Sequence, residues 1–135
     1  MKSIATIILN RNLPEVTDKL YEHLIKYDGA ETDIYVLEAG SDKDKLSKYC
    51  TWHANSVEIV NQGLRYSRGM NYALLQLYKQ KKWKQYEGFF LITNDTEFSN
   101  LKTIKPLIEV LKEHKKIGIL SPCSLRWGEI GRAHV

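Results

Sequence analysis

Short apolar runs of strand length recur along this chain, and they limit its fold more than any other feature. The first run, SIATIIL, is nearly continuous in apolar or β-branched residues, as is typical of strands buried on both faces of a parallel sheet. The stretches between them are long enough for the crossover connections that parallel strands need. The predicted strands are SIATIIL, DIYVLE, SVEIVN, GFFLIT and IGILSP, at positions 3–9, 33–38, 56–61, 88–93 and 117–122.

Helical periodicity occurs between these runs. Val16, Leu20 and Leu24, for example, fall on one stripe of an amphipathic helix. A chain of 135 residues with this alternation is expected to form one α/β domain, Rossmann-like, with a mainly parallel sheet and alternating helices. The predicted helices cover Glu15–Tyr27, part of 39–49, Arg68–Gln80 and Leu101–His114.

The composition excludes several classes of protein. Apolar residues make up 43% of the chain and charged residues 27%, which argues against disordered and fibrous proteins. No apolar run approaches the ~20 residues of a membrane span. Cys50 and Cys123 lack metal-ligand spacing and are expected to be free thiols. The basic run YKQKKWKQYE, at 78–87, is either a solvated helix end or a phosphate contact.

Polar residues follow each of the first four predicted strands. Ligands of open parallel sheets bind beyond the carboxyl ends of the strands, so these residues are candidates for one site. The alternative is that they are ordinary polar loop residues. The candidates are Asn10, Arg11 and Asn12, then Glu38 and Ser41, then Asn61, Gly63, Arg65 and Arg68, and finally Asn94, Asp95 and Glu97.

The chemistry of these candidates favours a diphosphate site. Asp95, with Asn94 and Glu97 nearby, offers oxygen ligands for Mg²⁺ or Mn²⁺. Arg65 and Arg68 offer forked donors that suit phosphate oxygens. The neighbouring glycines match neither the dinucleotide-binding pattern GxGxxG nor the phosphate-binding pattern GxxxxGK[ST], so neither of those sites is predicted.

Five short motifs then carry a resemblance to a known family. The chain resembles the N-terminal, nucleotide-sugar-binding half of a family 2 glycosyltransferase with a GT-A fold. The resemblance covers positions 3 to about 122 and keeps the family's motif order. The matching stretches are ILNRN, VLEAGS, NQGLRYSRGMN, ITNDTEF (a variant of the family's DxD element) and IGILSP.

The resemblance implies roles for individual residues. Asp95 would be the metal-binding acid, and Asn94 beside it would belong to the same nucleotide-sugar site. Leu9 and Arg11 would line the nucleobase pocket, and Glu38 would lie near the nucleobase or ribose. The remaining donor-site candidates are Arg65 or Arg68, which would meet the base or diphosphate, and Asn71, which matches an asparagine that often opens the next helix.

The implied activity is transfer of a sugar from a nucleotide-diphosphate sugar to an acceptor hydroxyl. It would be metal-assisted and inverting, of hexosyl- or rhamnosyltransferase type, and would serve polysaccharide biosynthesis. The acceptor would be a saccharide, a lipid-linked molecule or a protein, and no nucleic-acid partner is expected. The implied location is the cytoplasm, either free or peripheral at the membrane.

Departures from the family pattern leave a second function open. Thr93 and Asn94 stand where many members have Asn and Asp. Glu38 stands in place of Asp, and Ala39 in place of Asn or Asp. The alternative is a non-catalytic Rossmann-like nucleotide-binding module or a degenerate transferase.

The C-terminal residues are expected to differ in origin from the rest. The last seven, EIGRAHV, match the translation of a widely used sequencing adapter. This predicts a partial domain over 1–128 and a non-native tail over 129–135. The general base of the family lies further along the chain than this point, so the fragment alone is expected to be inactive.

Overall fold

The computed structural model describes residues 2–121, which form an α/β domain with a Rossmann-like arrangement. Its sheet has four strands, all parallel, in the order β3-β2-β1-β4. This confirms the predicted fold class. The strands are β1 (Ile4–Asn10), β2 (Thr32–Ala39), β3 (Trp52–Ala54) and β4 (Gly88–Thr93).

Helices cover both faces of the sheet. β1 lies between β2 and β4, with Ile4 opposite both Thr32 and Gly88, and every residue of β1 is buried. The helices are α1 (Pro14–Asp28), α2 (Val57–Gln62), α3 (Tyr66–Lys79) and α4 (Ile104–Glu113), with single 3₁₀ turns at Lys43–Lys45 and Trp83–Gln85. Among residues 2–121, no helix is long and apolar enough to cross a membrane.

The core consists of two apolar clusters, one on each face. Side chains of β1 alternate between them, as the pleat of a strand requires. Ala5, Ile7 and Leu9 pack with α3, whereas Ile4 and Ile8 pack with α1 and α4. The continuous apolar run of β1 therefore reflects burial on both sides.

The third strand was predicted in the wrong place. Residues 56–61 belong mostly to α2, because the Ser56 side chain caps this helix by accepting a hydrogen bond from the Ile59 amide. Val57 is 80% exposed, so its β-branched side chain does not mark a buried strand. The strand at this position is the short segment Trp52–Ala54, which pairs with Leu37–Ala39.

The predicted fifth strand is absent from the described part of the chain. Residues 117–121 form no ladder with β4, and Ile119 is 93% exposed. An apolar run becomes a strand only where a neighbour accepts its backbone hydrogen bonds. Position 122 and the predicted tail at 129–135 lie outside the described residues.

Candidate functional site

The candidate site lies where the order of the strands reverses. From β1 the chain moves to β2 and β3 on one side, and β4 then pairs on the other side of β1. In sheets of this kind, ligands bind in the crevice beyond the carboxyl ends of the two strands at the reversal. Asn10 ends β1, and Asn94 and Asp95 directly follow β4. The sequence-predicted polar residues therefore meet at the expected edge.

The buried side chain of Asn10 joins the elements around this crevice. Its Oδ1 accepts hydrogen bonds from the Leu13 amide at 3.1 Å, Thr17 Oγ1 at 2.9 Å and Asn94 Nδ2 at 3.3 Å. Its Nδ2 donates to both carboxylate oxygens of Glu38, at 3.1 and 2.7 Å. One carboxamide thus connects the ends of β1, β2 and β4 with the first turn of α1.

Glu38 is fully buried, and its carboxylate holds the loop after β2. Besides Asn10, it accepts hydrogen bonds from Ser41 Oγ at 2.7 Å and the Ser47 amide at 2.8 Å. Both of its oxygens are therefore bonded within the protein. A contact of Glu38 with the nucleobase or ribose stays a prediction, whereas its hydrogen bonds within the protein are observed.

Burial and the nearby Glu38 charge raise the pKa of the Cys50 thiol, which disfavours the reactive thiolate.

Arg11 is exposed and directly follows β1, and its side chain lies against Gly63 in the loop before α3. Its Nη2 donates to the Val60 carbonyl at 3.1 Å. Gly63 has a φ of 74°, and a Cβ there would come within 2.6 Å of Arg11 Nε. Glycine at this position lets the backbone pass under the guanidinium, which remains at the ligand edge.

Leu9 lies deeper, beneath the start of α3. A Cβ at Gly69 would lie 2.9 Å from Leu9 Cδ1, so the helix packs directly on the end of β1. Leu9 is only 8% exposed. A contact between Leu9 and a nucleobase stays a prediction.

Two arginines lie at the start of α3, and both are exposed. Arg65 is the N-cap residue, and Arg68 follows within the first turn. Residues three apart on a helix lie on neighbouring positions of its surface. The positive end of the helix dipole adds to their charge and favours anions at this point. Asn71 is also exposed, but it lies inside α3 and does not open the helix.

Asp95 is exposed on the other side of the crevice. Its Oδ1 accepts a hydrogen bond from Thr93 Oγ1, within a turn closed by the Thr96 amide and the Thr93 carbonyl. It lines a cleft of 420 Å³ between α1 and the segment 94–100, together with Glu97 and His23. The Nε2 of His23 is buried without a hydrogen-bond partner among the described residues.

A divalent cation at Asp95 stays a prediction. Within residues 2–121, no group of three His, Cys, Asp or Glu side chains is placed to hold a metal ion. Mg²⁺ is often bound by one or two carboxylates together with substrate phosphates. The exposed carboxylate of Asp95 could supply the protein's share of such a site.

The structure brings together some predicted site residues more closely than others. Asn94 is hydrogen-bonded to Asn10, and Asn10 to Glu38. The Asp95 cleft lies on the α1 side, whereas α3, which begins near Arg65, covers the opposite face.

Two groups that support the site were not predicted from the sequence: the Thr17 hydroxyl, which donates to Asn10, and the Ser47 backbone amide, which donates to Glu38. Ser41 was among the predicted candidates, and its hydroxyl donates to Glu38. No sequence pattern marks these groups, because their bonding depends on the strand register that places Asn10 opposite Glu38.

Comparisons of this chain with protein-family models, with curated proteins and with solved structures found no match.

Proposed function

We propose that this chain is the donor-binding part of a glycosyltransferase. The donor that it binds is a nucleotide-diphosphate sugar. The observation that carries the proposal is the strand reversal at β1 and β4, where Arg11 directly follows β1 and Asp95 lies just after β4 at the same edge of the sheet. Arg65 and Arg68, at the positive end of α3, add donors for phosphate oxygens. Opposite charges on a common edge suit a diphosphate that binds together with a divalent cation.

The proposed chemistry is displacement of the nucleoside diphosphate by an acceptor hydroxyl, with inversion at the anomeric carbon. A bound Mg²⁺ or Mn²⁺ would offset charge that grows on the leaving diphosphate. Asp95 would hold that cation, and Arg65 and Arg68 would donate hydrogen bonds to phosphate oxygens. The buried Asn10–Glu38 pair would keep the strand ends in place. The general base is not assigned to any residue of this chain.

The acceptor class within this proposal is a saccharide, a lipid-linked molecule or a protein. The proposed location is the cytoplasm, where the protein is free or peripheral at the membrane.

A second candidate function is a non-catalytic nucleotide-binding module. It is favoured by Glu38, since this acid is buried and bonded within the protein. A release assay for nucleoside diphosphate on a longer form of the protein separates the two functions. Acceptor-dependent release supports the enzyme, whereas donor binding without release supports the module.

The donor site is tested by calorimetry with UDP- and dTDP-sugars, with and without Mn²⁺. Asp95→Ala should abolish Mn²⁺-dependent binding and leave the thermal unfolding temperature unchanged, because the side chain is exposed. Asp44→Ala makes the same chemical change at another exposed position and should bind like the wild type. Equal Mn²⁺-dependent binding by the wild type and the Asp95 variant would refute the metal assignment.

A further inference from the structure

A dense cluster of lysines lies at the end of the sheet opposite the candidate site. Four of the six residues at 79–84 are lysine, and no acidic residue occurs between 78 and 86. The segment runs from the last residue of α3 into the turn before β4, so it lies at the amino ends of the strands. We call Tyr78, Trp83 and these four lysines the lysine–tryptophan patch; the lysines are Lys79, Lys81, Lys82 and Lys84.

The patch is exposed and carries uncompensated charge. All four lysines are exposed, and none forms an ion pair within residues 2–121, where the ion pairs are Lys2–Asp33 and Lys48–Glu22. A charge of +4 is therefore concentrated on one short segment, as large as the formal net charge of the whole chain.

Two aromatic side chains lie among these lysines without being buried. Tyr78 is 61% exposed and Trp83 is 40% exposed, with their ring centroids 6.0 Å apart. The Lys84 ammonium lies 5.5 Å from the centre of the Trp83 ring. Tryptophan and tyrosine with an apolar ring and a polar tip prefer the boundary between lipid and water.

The backbone holds one of these lysines in a conformation that favours glycine. α3 ends in a Schellman motif, in which the Lys82 amide bonds to the Leu77 carbonyl at 2.9 Å and the Lys81 amide bonds to the Tyr78 carbonyl at 3.0 Å. Lys81 occupies the left-handed position, with a φ of 57°. Glycine would adopt this conformation without steric cost. A charged lysine therefore occupies a position where the backbone conformation favours glycine.

We propose that the lysine–tryptophan patch docks the protein on membranes rich in anionic lipids. Lysines near such a surface are attracted to it without needing a shaped pocket, and Trp83 can enter the headgroup region. The patch contains lysine and no arginine, which favours diffuse attraction to lipid headgroups over forked contacts with nucleic-acid phosphates. Docking through this edge leaves the crevice at the opposite edge open, and the inference does not depend on the proposed chemistry.

Vesicle co-sedimentation tests the inference with the full 135-residue chain. The wild type should sediment with vesicles of phosphatidylcholine and phosphatidylserine, and hardly with phosphatidylcholine alone. Each lysine should contribute roughly fivefold, so Lys→Gln at all four positions should lower partition by about a hundredfold or more. The matched control replaces Lys102, Lys105, Lys112 and Lys115, which are also exposed, and should lower the partition far less. Binding should also weaken as salt rises.

Two further variants distinguish docking from a general effect of charge. Trp83→Phe should remove most of the blue shift of tryptophan fluorescence that vesicles produce. Lys81→Gly should raise the thermal unfolding temperature and yet weaken sedimentation, because it relieves the left-handed strain and removes one charge.

Three results would overturn the inference. One is equal sedimentation with and without phosphatidylserine, and another is an equal loss in the control variant. The third is a result in which the patch variants lose binding to single-stranded oligonucleotides but keep their binding to vesicles. Nucleotide-sugar calorimetry on the patch variants reports separately on the donor site.

Discussion

Replacing Glu38 tests whether the buried acid at the end of β2 holds the fold together. Glu38→Ala leaves three donor groups without their acceptor: the Asn10 carboxamide, the Ser41 hydroxyl and the Ser47 amide. An unsatisfied buried donor costs about 1–3 kcal/mol. The Ser41 hydroxyl can rotate to another acceptor, so we expect a loss of about 4 kcal/mol in the free energy of unfolding. That is a large part of the ~5–15 kcal/mol typical of a domain.

Glu38→Gln separates the charge from the shape of the side chain. The amide keeps the volume but replaces one acceptor oxygen with a donor that faces other donors. Loss of charge-assisted hydrogen bonds should cost about 1.5–3 kcal/mol. At roughly 4 °C per kcal/mol, the unfolding temperature should fall by about 6–12 °C for glutamine and about 16 °C for alanine.

Urea unfolding followed by circular dichroism measures these losses, with Glu109→Ala on the exposed face of α4 as the control. The reasoning fails if Glu38→Ala unfolds at the same urea concentration as the control. Glu38 would then not be held by internal hydrogen bonds, and a direct role in ligand binding would become the better explanation. Nucleotide binding by the folded Glu38→Gln variant gives an independent readout.

Two further predictions concern the arginines of α3 and a buried tyrosine. Arg65→Ala or Arg68→Ala should weaken binding of a nucleoside diphosphate by about 1.5–3 kcal/mol and hardly affect the nucleoside, as calorimetry would show; proportional losses for both ligands would contradict a phosphate role. Burial, with hydrogen bonds to Tyr35 and Asp33, raises the pKa of Tyr86 above its ordinary value of 10.0. The unfolded chain therefore loses this proton first, so stability should be full below about pH 10 and fall as pH rises above it. Tyr86→Phe should reduce that fall, and exposed Tyr78→Phe should not; equal alkaline sensitivity in all three proteins would count against the assignment.

Strands buried on both faces were predictable from sequence, and shorter elements were not. The runs that became β1, β2 and β4 are rich in apolar residues, and β1, the strand with helices on both faces, is the most completely buried of them. β3 has only three residues, too few to show a period, and the neighbouring β-branched run became α2 once Ser56 capped it. Residues 117–121 have strand propensity but pair with none of the described strands, although one edge of β4 is unpaired.

The location of the candidate site was predictable, whereas its internal bonding was not. Residues that follow parallel strands must share an edge, so Arg11, Asn94 and Asp95 could be placed there from the strand pattern alone. The contact between Asn10 and Glu38 depends on strand register, which the order of apolar runs does not specify. The internal hydrogen bonds of Glu38 were therefore not predicted, and its contact with a ligand stays a prediction.

The central place of β1 also affects how the chain emerges from the ribosome. β1 is complete by residue 10, yet the strand that covers its second edge pairs residue 4 with residue 88. At about 5–20 residues per second, that edge stays open for on the order of 4–17 s of synthesis. During this interval a largely apolar strand presents unpaired backbone groups to other nascent chains. Early binding of a chaperone to residues 4–10, or slow translation after residue 93, would therefore raise the yield of folded protein.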